Sequence, residues 1–88
     1  MPKPRWYLAL QAAGRAMESA FKRSGLAAFD ADEFDRAAEG IFKRRMSGTW
    51  ISRLVEMNLV DAVWSIQTTG KVEYTVSQFG REVLDLSR

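Results

Sequence analysis

The sequence predicts a mainly α domain with one small β-hairpin, an α+β architecture. Two observations carry this expectation. Apolar residues recur at spacings of three and four in four separate stretches, the mark of amphipathic helices. Between Val60 and Val76 the period drops to two around Thr68-Thr69-Gly70, the mark of a hairpin. At 88 residues and 10.0 kDa the chain is read as one domain, 1–88, because domains seldom divide below about 100 residues.

The first helix is expected over 4–23. Pro4 suits a first helical position, where its missing N–H costs nothing. Trp6, Leu10, Ala13, Met17, Ala20 and Phe21 form its apolar stripe. Lys22 and Arg23 complement the dipole in the last turn, and Gly25 stands where a left-handed residue ends a helix. Gly14, inside the helix, marks a close crossing. Residues 26–29 are short enough to be a strand.

FDADEF is the clearest local signal. Asp30 is a helix cap, Glu33 completes a capping box, and Phe29 and Phe34 take the hydrophobic-staple positions. The second helix is expected from Ala31 to about Arg44, with Gly40 able to bend it. Ser47 caps a third helix over 48–58, with Met46 and Ile51 as its staple. Ile51, Leu54, Val55 and Leu59 give this helix a core-facing side. Thr49, Trp50, Arg53 and Met57 lie largely on the other side.

The hairpin is expected to join 60–67 to 71–76 through a three-residue loop, with Gly70 in the left-handed position. Pairing Gln67 with Lys71 sets Ile66 against Val72, Trp64 against Tyr74 and Ala62 against Val76, all on one face. Ser77 caps a final helix over 77–86, through Phe79, Val83, Leu84 and Leu86.

Composition narrows the function. Hydrophobic residues are 47% and charged residues 27%, the balance of a soluble globule and not of a disordered chain. No apolar run approaches the ~20 residues of a membrane span. The N-terminus lacks a secretory pattern, so the cytoplasm is the expected compartment. There is neither cysteine nor histidine. Disulfides, thiolate nucleophiles, the commonest general base and the commonest zinc ligand are therefore all absent, and no enzyme, cofactor or metal site is expected. Asp30, Asp32, Glu33 and Asp35 lack the glycine and terminal glutamate of a calcium loop.

Net charge is +2, unevenly spread: +4 over 1–25, −4 over 26–40, +4 over 41–53 and −2 over 54–88. Two basic segments flanking an acidic one suit a surface that faces a polyanion.

Two stretches carry a resemblance. MSGTWISRLVEMNLVD, leaving its helix through Met57-Asn58-Leu59-Val60, is similar to the recognition helix and exit of winged helix-turn-helix regulators. VEYTVSQFGREVLDL resembles their second wing strand running into a closing helix. The chain from about Phe29 to Leu86 thus resembles the DNA-binding core of MarR- and PadR-like transcriptional regulators. The resemblance implies a helix-turn-helix plus wing over 29–76, flanked by N- and C-terminal helices. It also implies a sequence-specific, double-stranded-DNA-binding regulator, a repressor, with 48–58 in the major groove. A winged-helix module that binds protein and not DNA is the alternative.

On that reading Arg53 contacts a base, and Ser47 and Thr49 offer hydroxyls and N–H groups to phosphate. Trp50 either packs back on the second helix or meets a thymine methyl or a protein partner. Lys43, Arg44 and Arg45 neutralise backbone phosphates, with Lys71 at the wing tip. Trp6, Tyr7 and Leu10 form a homodimer interface on the first helix. No small-molecule ligand and no membrane contact are expected.

Overall fold

A computed structural model describes residues 3–43, 46–64 and 72–86. Among them the protein is mainly helical, with four helices and one two-stranded antiparallel sheet. In chain order these are α1 (Arg5–Ser24), α2 (Ala31–Ala37), α3 (Ser47–Glu56), β1 (Val60–Trp64), β2 (Val72–Val76) and α4 (Gln78–Leu86). No described helix is long and apolar enough to cross a membrane.

α1 is the central element, packed by α2, α3, β2 and α4. Its buried positions are mostly small: Ala9, Ala12, Ala13, Ala16 and Ala20, with Leu10 and Tyr7. Small side chains let neighbouring elements approach on several sides, so the buried surface is wider than one stripe. Two expectations change as a result. Tyr7, off the expected stripe, is 5% exposed, whereas Phe21, on it, is 56% exposed. The helix ends as expected on Gly25, at φ 78°, whose N–H donates to the Phe21 carbonyl. Pro4 occupies the N-cap and not the first helical position.

Between α1 and α2, only Phe29 of the candidate strand pairs. It exchanges backbone hydrogen bonds with Tyr74, at 2.8 and 2.7 Å. Tyr74 also pairs with Ala62, so three segments meet there. The Phe29–Phe34 staple forms as stacked rings 6.4 Å apart, both fully buried. Asp30 accepts from the Glu33 N–H at 2.9 Å. The capping box does not close, because the Glu33 carboxylate turns to Arg23 at 2.9 Å.

α2 is shorter than expected and ends before Gly40. The Ala38 carbonyl accepts from both Ile41 and Phe42, tightening the chain into a turn where a helix would otherwise carry glycine at a cost of about 1 kcal/mol. α3 starts one residue earlier than expected, and Met46 is its N-cap. It leaves through Asn58, at φ 61°. The Leu59 N–H donates to Leu54 and the Asn58 N–H to Val55, the paired bonds of a Schellman ending. Leu54 and Leu59 are both buried.

The sheet keeps the expected faces but not the expected register. Val76 pairs with Val60, Tyr74 with Ala62 and Val72 with Trp64. Trp64 and Tyr74 are therefore diagonal and not opposite, and Val76 does not face Ala62. A slip of two residues leaves every side chain on its own face, so alternation alone does not distinguish the two registers. The expected turn at Thr68-Thr69-Gly70 and the Ile66 and Gln67 pairs lie outside the described residues.

Ser77 caps α4 as expected, accepting from the Gly80 N–H at 3.0 Å, and its hydroxyl donates to the Asn58 carbonyl at 2.7 Å. Phe79, one of the apolar residues of this helix, is 54% exposed.

Candidate nucleic-acid interface

α3 divides cleanly into two sides. Ile51 and Leu54 enter the core with Trp50, while Gly48, Thr49, Ser52, Arg53 and Glu56 face solvent. Thr49, Ser52 or Arg53, and Glu56 follow one another at helical spacing, so a single exposed face carries two hydroxyls, a guanidinium and a carboxylate. Ser52 and Glu56 were not among the residues expected in the site. The signal for them was in the sequence, since both fall at i+3 from Thr49 and Arg53 respectively.

Trp50 lies beneath this face and not on it, at 6% exposed. Its ring stacks on Phe42 at 6.0 Å and 15°. Of the two expectations for Trp50, packing back is the one found and the direct DNA contact is corrected: the turn after α2 brings Phe42 onto the indole and covers it. The indole instead supports Arg53, whose guanidinium carbon sits 5.0 Å from its ring centroid. A cation over an aromatic ring is held by the ring quadrupole. Arg53 forms no ion pair among the described residues, with Glu56 or any other acid, so its planar donor fork stays open to a ligand.

Ser47 is placed differently from the phosphate-binding expectation. Its N–H donates to Asp35 Oδ1 at 3.2 Å and its hydroxyl to Asp35 Oδ2 at 3.0 Å. A carboxylate from α2 thus occupies the position a phosphate would take, and satisfies one of the open N–H groups of the helix start. Thr49 remains exposed, although its own N–H is turned back to the Met46 carbonyl. Lys43 is exposed in the turn leading to α3. Arg44, Arg45 and Lys71 lie outside the described residues.

The acidic cluster is likewise engaged in the fold. Asp30 caps α2, Glu33 holds Arg23 and Asp35 holds Ser47. The described residues contain no group of acids arranged to hold a metal ion.

The dimer residues expected on α1 are mostly internal. Leu10 is fully buried and Tyr7 nearly so, with Lys3 Nζ 5.0 Å from the Tyr7 ring centroid. Trp6 is half-buried and meets Tyr7 edge-on at 5.9 Å. An interface built on Tyr7 and Leu10 is therefore corrected, because the protomer's own helices already cover them. No protein-family model, curated protein or solved structure matches the chain.

Proposed function

We propose that the chain is a winged helix-turn-helix domain that binds double-stranded DNA through α3 and acts as a transcriptional repressor. The observation that carries the reading is the exposed polar face of α3, with Arg53 over Trp50 and, among the described residues, no acid paired to it. The element order supports it, as does the bridging of Phe29 to Tyr74 beside the hairpin. Seated in the major groove, Arg53 would meet guanine O6 and N7, and the Glu56 carboxylate would accept from a cytosine amino group. Thr49 and Lys43 would reach phosphates.

The test is duplex binding across a salt series, first with a randomised pool and then with the sequences it selects. A DNA reader loses affinity steeply as salt rises, because each neutralised phosphate contributes a log–log slope of about 0.9. Absent or salt-independent binding would favour a protein-binding module, for which exposed Phe79 and Met57 are the supporting observation.

A further inference from the structure

The apolar surface left uncovered on α1 lies at the end opposite the residues expected to dimerise. Phe21 is 56% exposed and Leu26, just past the helix, is 65% exposed. Beside them runs an open groove of about 360 Å³ lined by Met17, Glu18, Phe21, Lys22, Ala27 and Arg81. A large aromatic beside a groove of mainly apolar lining is both a knob and a hole on one patch. Such a patch can satisfy itself only through a two-fold arrangement, in which each copy's knob enters the other's hole.

The charges on the same face agree. Glu18 and Lys22 are both exposed and one turn apart, and neither is ion-paired among the described residues. If a second α1 crosses this one antiparallel, Glu18 meets the partner's Lys22 and Lys22 meets the partner's Glu18. A parallel crossing in register would set like against like. Arg81 also lines the groove, with its guanidinium turned to Met17 Sδ at 3.8 Å.

We infer that the C-terminal half of α1, with Leu26, is a self-association surface on which a second copy of this chain docks antiparallel. Phe21 enters the partner's groove, and reciprocal Glu18–Lys22 pairs set the register. The inference is independent of DNA binding.

The experiment is sedimentation equilibrium of the full chain at low ionic strength, where surface charges act over about 10 Å or more. The unmodified chain is expected to dimerise. Phe21→Ser is expected to leave a folded monomer with an unchanged far-UV circular dichroism spectrum, because more than half of the side chain it removes is already solvated. Glu18→Lys and Lys22→Glu should each lower the association constant about tenfold by creating like-charge contacts, and the double reversal should restore it. A chain that stays monomeric up to its solubility limit overturns the inference. So does a dimer indifferent to Phe21→Ser, or a double reversal no better than the single ones.

Discussion

Asp35 of α2 holds the first residue of α3, accepting from the Ser47 N–H at 3.2 Å and from its hydroxyl at 3.0 Å. α3 has no side-chain cap from its own N-cap residue, Met46, so the carboxylate twelve positions upstream does that work. Asp35→Ala is expected to lower stability by about 1 kcal/mol, the usual worth of a cap. Asp35→Asn should recover part of this, keeping an acceptor for one of the two donors. Urea unfolding of the three proteins checks it, and an unchanged midpoint for Asp35→Ala would refute the capping role.

Gly80 packs against the end of α3. A Cβ there would overlap the Leu59 carbonyl oxygen and come within 2.8 Å of Val76 Cγ1. The carbonyl is backbone and itself accepts from the Ser77 N–H, so it cannot move freely. Gly80→Ala should cost about 1–3 kcal/mol by overpacking. Gly40→Ala is the matched control, since its Cβ meets nothing within 4 Å and its φ is not positive. It should stabilise by about 0.4–1 kcal/mol through the unfolded chain. Thermal unfolding of both variants tests the contrast, and equal effects would sink it.

Trp50 and Arg53 should separate stability from binding. Trp50→Ala empties a core position and is expected to cost about 3–5 kcal/mol. Trp50→Phe should cost much less, because the indole N–H is buried with no hydrogen-bond partner among the described residues, so its loss breaks no bond there. Arg53→Ala should leave the fold within about 0.5 kcal/mol, as for an exposed site. On the proposed function it should cost about 1–3 kcal/mol on a selected duplex and little on random DNA. Equal loss on both would reduce Arg53 to a phosphate contact.

Lys43 should behave in the opposite way. Lys43→Ala is expected to weaken selected and random duplexes alike and to lower the salt slope by about one. A slope that does not change would remove Lys43 from the interface.

Asn58 holds a left-handed turn at φ 61° that lets Leu59 bond back to Leu54. Asn58→Gly should be neutral or slightly stabilising, and Asn58→Val should cost about 1–2 kcal/mol, since a Cβ-branched residue is strained there. Chemical denaturation checks the order, and a harmless valine would contradict it.

What the sequence determined by itself was local. The end of α1 at Gly25, the Asp30 cap with its Phe29–Phe34 staple, the Ser77 cap and the two faces of the hairpin all depend on residues a few positions apart. Their energetics are settled by spacing, which can be read along the chain. The polar side of α3 was legible for the same reason, through Thr49 and Arg53. What only the tertiary structure decided was non-local. Asp35 reaches Ser47 across twelve positions, Phe42 stacks on Trp50 from the turn after α2, and the several elements around α1 cover Tyr7 while leaving Phe21 more than half exposed. The hairpin register belongs with these. Period-two alternation is satisfied equally by pairings two residues apart, and only the assembled chain, with Phe29 bonded to Tyr74 on one side and Ala62 on the other, separates them.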